Sequence, residues 1–300
     1  MSVKILNCVP NISEGRDTGV IEAVADAVRG APGVRLAAVC PDADHNRTVY
    51  SFLGEPAAVL EAAKRLADAA LERIDMSVHK GEHPRVGAVD VTPFIPVSGV
   101  SPEEALEICR AYGRWIGDEK AVPVYYYEDA AVSPARRNLA DVRRGQYEGL
   151  AKKLLDPEWA PDEGPARFVP KSGACLVGVR FPLIAFNVNL RTDDVTVAKK
   201  IARAVRYSGG GFRCVRAIGV ALKSAGSVQV SMNLTNYEMT PLPRVLEAVR
   251  TEAARYGVAV AGTEIVGAIP VRALEDVMRH YLQCHDFRAE QVLEMNCLPE

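Results

Sequence analysis

His79 and His83 stand four positions apart in IDMSVHKGEHPRVGAVDVTPFIPV, residues 74–97, with Asp75, Lys80, Glu82, Arg85 and Asp90 around them. Imidazoles among carboxylates and cations can take up and release protons near neutral pH. The same residues fit H-x-x-E-H, a zinc-hydrolase spacing. That spacing serves a metal only on a helix, where positions four apart share one face. Gly81 interrupts the motif and Pro84 follows it, and a residue before proline is pushed out of the helical region. The stretch therefore reads as a shaped polar loop leading into a buried strand, residues 91–97, and no metal is expected there. Loops held by a rigid scaffold are common places for catalytic groups. A second charged turn, Pro41-Asp42-Ala43-Asp44-His45-Asn46-Arg47, precedes another strand. His45 reads as a hydrogen-bonding loop residue, and His280 and His285 as structural.

Hydrophobic spacing gives the elements that must carry these loops. Residues 3–9 read as a strand that breaks at Pro10-Asn11 into a polar turn. A helix follows, with Val20, Ile21, Val24, Ala27 and Val28 on one face and Gly30 at its end. Strands are expected over 34–40 and 48–53, then a long helix opened by Pro56, then the histidine loop and its strand. Ser101-Pro102-Glu103-Glu104 starts one more helix, and residues 122–127 return as a strand.

After a less regular stretch, the order β-α-β-β-α-β comes again from residue 183. The expected fold is α+β, with two tandem related lobes, each a ferredoxin-like β-α-β-β-α-β sheet with helices on one face. The lobes are placed at residues 1–180 and 181–300, joined near 165–181. The proline-rich stretch from Trp159 to Ala174 reads as a surface linker, although Trp159, Phe168 and Val169 are apolar anchors. In the second lobe Asn187, Asn189, Gln229 and Ser231 fall on the face opposite the apolar one. That face is read either as wet or as one wall of a cleft between the lobes.

Composition closes several routes. The net charge is −2 and aromatics make up 6%, so neither a basic field nor a stacking surface for nucleic acid is present. No apolar run matches a membrane span, and no signal peptide is seen. Seven scattered cysteines without C-x-x-C point to a reducing cytoplasm rather than a disulfide framework.

Several stretches together resemble the formiminotransferase family of histidine breakdown. They are CVPNISEGRD (8–17), HNRTVYSFLG (45–54), the histidine loop, GPARFVP (164–170), IAFNVNL (184–190) and VQVSMNL (228–234). The resemblance implies a folate-dependent transferase with two subdomains in tandem and no attached cyclodeaminase domain. It implies transfer of the formimino group of N-formimino-L-glutamate to tetrahydrofolate, a co-substrate, in a cytoplasmic homodimer. Formyl transfer and folate binding without turnover are the alternatives. It also implies that His83 is the general base and that residues 164–173 meet folate, through Gly164, Pro165, Phe168, Val169, Pro170 and Gly173. Relatives usually carry an acidic residue where this chain has Cys40, so Asp42, Asp44 or Glu82 becomes the candidate assisting carboxylate. Both substrates are anionic, which makes Arg47, Lys80 and Arg85 the expected carboxylate partners. Asn11, Asn46 and Asn187 complete the expected binding set. A histidine that both takes and returns a proton is expected to titrate near neutrality.

Overall fold

The computed structural model describes residues 4–222 and 226–293. The chain divides into two compact units, Met1–Arg180 and Phe181–Glu300.

In the first unit β1 (Ile5–Cys8) and β2 (Asn11–Ile12) form one line of chain interrupted at Val9-Pro10. Proline has no N–H to give the ladder, so the strand breaks and restarts. This line lies between β4 (Arg47–Gly54) and β5 (Val89–Ser98), antiparallel to both. β3 (Val34–Asp42) pairs antiparallel along the outer side of β4. Helix α1 (Thr18–Arg29) connects β2 to β3 and α2 (Pro56–Arg73) connects β4 to β5. Each connection skips one strand, so two β-α-β units interlock. Asp17 caps α1, accepting the N–H groups of Gly19 and Val20. The helices bury Val24, Val28, Val59, Leu66 and Ala70 against Leu6, Tyr50, Phe52 and Phe94 of the sheet.

The chain then adds α3 (Pro102–Asp118), β6 (Val124–Glu128), α4 (Leu139–Val142), α5 (Gln146–Lys153) and β7 (Cys175–Val179). β7 slots between β5 and β6 and runs parallel to both. This corrects the linker reading of the stretch before it. Residues 159–174 lead into an interior strand, and the chain passes to the second unit only after Val179. CLVGV is short, apolar and buried at every position, so it has none of the alternation that marks a half-exposed strand. The expectation of helices on one face is also too simple here. Tyr126 faces the α1–α3 core, while Tyr125 and Tyr127 face a second cluster with Val91, Val142, Leu150 and Leu176. Layers on both faces are why three consecutive tyrosines can all be buried.

In the second unit β8 (Ile184–Leu190), β9 (Val215–Leu222), β10 (Ser227–Leu234) and β11 (Val260–Val266) form one antiparallel sheet, ordered β11-β8-β10-β9. Helices α6 (Val195–Val205), α7 (Leu242–Ala254) and α8 (Val271–Tyr281) complete it, and Ile201, Val205, Val245 and Val249 pack on Val188, Val230 and Met232. The opposite face carries an amide–carboxylate network. Asn187 Nδ2 donates to Glu264 at 3.1 Å, and Gln229 Nε2 donates to Asn189 at 2.9 Å and Glu264 at 3.3 Å. Among the described residues, no helix is long and apolar enough to cross a membrane.

Candidate active site

Three loops leave the same edge of the first sheet: residues 13–17 after β2, the β3–β4 turn, and the long α2–β5 connection with both histidines. They meet backbone to backbone. Ser13 donates its N–H to Ala88 O at 2.9 Å and its hydroxyl to Gly87 O at 2.8 Å. Asn46, in the left-handed region at φ 49°, accepts the Gly15 N–H at 2.9 Å and donates to Lys80 O at 2.9 Å. Asparagine tolerates that conformation better than most residues. At Gly81 a Cβ would lie 2.3 Å from His45 O, so the chain can approach the turn only as glycine.

The two histidines receive different surroundings. His79 uses both ring nitrogens. Nε2–H donates to Asn46 O at 3.0 Å, and Nδ1 accepts from Arg85 Nε at 3.2 Å. Burial moves its pKa down, and the neutral ring works as a strut. Arg85 is buried and grips Glu148 with both terminal nitrogens, at 2.9 and 2.7 Å, so its guanidinium anchors the loop.

His83 is half-buried. Its Nε2 accepts from Arg47 Nη1 at 2.6 Å, while its Nδ1 is buried without a hydrogen-bond partner. Arg47 also donates to Asn11 Oδ1, and the Asn11 amide donates to Val9 O at 2.9 Å. Behind them Arg143 pairs at 2.6 Å with Asp90, a carboxylate 1% exposed that also accepts the Val86 N–H at 2.7 Å. Burial, then the charges of Arg47 and Arg143, push the His83 pKa down to about 4. This lies below the expected near-neutral value, because two cations face the ring and it is half-buried.

The free imidazole is accordingly expected to stay neutral down to about pH 4. Its folded pKa lies below the unfolded value of 6.5, so its contribution to stability is complete above 6.5 and fades as pH falls towards 4. A histidine ring-proton NMR titration of wild type and His83→Gln checks this. A signal lost in the variant that titrates at or above 6.5 would contradict the cationic surroundings.

The turn adds a second imidazole. Asp42 Oδ2 holds His45 Nδ1 at 2.6 Å, and Asp42 Oδ1 accepts the His45 N–H at 2.9 Å. The backbone bond first, then the ring, hold the Asp42 carboxyl below its usual range. The His45 ring stands edge-on to His83, with centroids 5.7 Å apart. Ser13, His45, Asn46, Arg47, His79, His83, Arg85 and Asp90 close together around one small void. Asp44, Lys80 and Glu82 are exposed, and Asp44 and Glu82 make no ion pair among the described residues. Cys40 is an exposed free thiol. Among the described residues, no group of three His, Cys, Asp or Glu side chains could hold a metal.

Residues 164–173 are woven into the exit of the histidine loop. Phe168 packs on Tyr147 at 5.4 Å, Tyr147 donates its hydroxyl to Pro170 O at 2.7 Å, and its N–H goes to Arg85 O at 2.8 Å. Gly173, at φ 65°, donates its N–H to Val169 O at 2.8 Å and lies against the Val86 carbonyl. Gly164 sits further off, pressed on Gly117 and Val122 O, with Pro165 half-buried beside it. Asn187 belongs to the second unit's polar network. Local patterns had not singled out Arg143 or Glu148, which reach the loop from more than fifty residues away. Their sequence neighbourhoods carry no signal of that.

Comparison with known proteins places the chain in a family. Residues 5–180 match the formiminotransferase domain, N-terminal subdomain, and residues 185–294 match the formiminotransferase domain. A glutamate formimidoyltransferase of Streptococcus pyogenes serotype M1 is 46% identical over 98% of this chain and 99% of its own. One from Thermoplasma acidophilum is 43% identical over 97% of each chain. The formimidoyltransferase-cyclodeaminase of Mus musculus is 44% identical over 93% of this chain and 52% of its own length. The protein belongs to the formiminotransferase family.

Proposed function

We propose that the protein is a glutamate formimidoyltransferase, moving the formimino group of N-formimino-L-glutamate to N5 of tetrahydrofolate to give 5-formimino-tetrahydrofolate and L-glutamate. The observation that carries the reading is the contact of His83 Nε2 with Arg47, a base candidate held by a carboxylate-binding cation, on a chain of this family.

Arg47 occupies the lone pair that a base would use. A substrate carboxylate on Arg47 draws the guanidinium away, frees Nε2 and removes one of the charges that depress the imidazole. N5 then attacks the formimino carbon, and its proton passes to His83 Nε2. The tetrahedral carbon expels the glutamate nitrogen, which gains a proton as it leaves. One N–H is lost and one is formed, so the reaction needs no outside proton.

Arg47 and Asn11 are read as carboxylate and amide contacts, with Lys80 an exposed cation beside them. Phe168, Val169, Pro170 and Gly173 are the folate-side contacts, with Gly164 and Pro165 shaping that segment. Residues 1–180 form the catalytic subdomain in this reading. Residues 181–300 form the second. A cytoplasmic homodimer completes the reading, supported for the compartment by free thiols at Cys8, Cys40, Cys109, Cys175, Cys214 and Cys284.

The test is a purified-protein assay with tetrahydrofolate and N-formimino-L-glutamate. Formation of 5-formimino-tetrahydrofolate with equimolar glutamate is expected. Transfer only from N-formylglutamate would replace the reading with formyl transfer, and folate binding without either product would end it.

A further inference from the structure

We propose that His45, oriented by Asp42, is the general acid that protonates the departing glutamate nitrogen, while His83 serves only the attacking nitrogen. The inference rests on the transfer reading above and divides its proton traffic between two imidazoles.

Geometry separates the two rings. His83 offers a single usable nitrogen, Nε2, because Nδ1 is buried. That nitrogen lies against Arg47. For one ring to do both jobs, Nε2 would have to meet N5 and then the glutamate nitrogen in succession. His45 is built differently. Asp42 accepts from its Nδ1–H, which leaves Nε2 as the exchanging nitrogen, and Nε2 has no partner among the described residues. The ring is half-exposed, so it can be reprotonated from solvent between turnovers. It also belongs to the same cluster of side chains and stands edge-on to His83. Attacking and leaving nitrogens share one carbon, so two neighbouring rings can serve them without either nitrogen changing place.

The carboxylate explains how the acid is kept in place. A carboxylate on one imidazole nitrogen fixes the ring's tautomer and orientation and stabilises its protonated form. Asp42 binds the ring and the backbone N–H of the same residue, which pins χ1 and χ2 of His45 against the turn. Asp42 is therefore a positioning residue and His45 the catalytic one. In the step itself the His45 Nε2–H bond breaks, an N–H bond forms on glutamate, and the C–N bond electrons return to that nitrogen. His83 leaves the step protonated and His45 neutral, and solvent restores both without net consumption.

The test compares donors with different leaving amines. N-formimino-L-glutamate releases a basic amine that needs a proton. N-formimino-4-aminobenzoate releases a weakly basic one that does not. With the glutamate donor, His45→Gln is expected to lose about 10²–10³-fold in kcat, with KM within about threefold. With the aminobenzoate donor the loss shrinks to less than about tenfold. Asp42→Asn follows the same pattern with a smaller loss, whereas His83→Ala fails with both donors.

Unchanged tetrahydrofolate binding shows that each variant is folded. Equal losses on both donors, or full kcat of His45→Gln on the glutamate donor, would overturn the assignment. If the wild type does not accept the aminobenzoate donor, rescue of His45→Gly by added imidazole decides instead. Recovery supports the acid role and its absence overturns it. A wild type that transfers nothing from any donor fails before any variant is made, and takes the transfer reading down with it.

Discussion

His83→Ala is expected to reduce formimino transfer by about 10²–10⁴-fold, the range that placed acid–base catalysis supplies, while tetrahydrofolate still binds. The choice between the two loop histidines rests on what their nitrogens do. His79 is saturated: one nitrogen donates to Asn46 O and the other accepts from Arg85. Losing it removes a strut, so His79→Ala belongs with changes in stability. His83 has its lone pair on a guanidinium that an anionic substrate can claim. Initial rates and folate binding, measured side by side in wild type and His83→Ala, decide the matter. Undiminished turnover in the variant would place the base elsewhere and leave the Arg47–His83 contact a structural one.

The second large effect concerns backbone packing. Gly87→Ala is expected to destabilise the protein and disable it together. A Cβ there would lie 2.1 Å from Ala174 O, 2.6 Å from Ser172 O and 2.8 Å from Ala174 N. All three are backbone atoms, so no side-chain rotation relieves the clash. Gly87 and Gly173 form the bridge that joins the histidine loop to the strand-leading segment. Forced overpacking costs about 1–3 kcal/mol. That corresponds to a fall of roughly 2–12 °C in Tm for a unit of this size. Displacing the loop that carries His83 by about 1 Å removes on the order of 10²-fold in rate. Gly149 is the control, since a Cβ there meets nothing within 4 Å. Calorimetry and kcat on Gly87→Ala test both halves. A variant with unchanged Tm and rate would mean that the two segments do not touch as described.

Much of the fold follows from local rules. The apolar spacing of 20–28 and 56–74 places α1 and α2, and the alternation of 184–190 and 227–234 places β8 and β10. The element order β-α-β-β-α-β occurs in both units as expected. CLVGV was hidden because an interior parallel strand is apolar on both faces and has no period to read. Arg85 is read from the sequence as a partner for a substrate carboxylate, and the structure adds its contacts with Glu148 and His79. A sequence shows that an arginine is present, not which acid is nearest once the chain has folded.

By itself the sequence determined the order of elements, the polar loop that Gly81 and Pro84 keep out of a helix, and the family stretches that single out His83. Those properties depend on neighbours within a few residues or on motifs read in line. Tertiary structure decided which nitrogens are occupied. It brought Arg47 and Arg143 against His83, set Glu148 on Arg85, and stood the Asp42–His45 pair beside the base. These partners come from separate loops, and their distances and burial set the charge that each imidazole feels. No periodicity along the chain encodes such distances, because they arise only when the sheet places its loops at one edge.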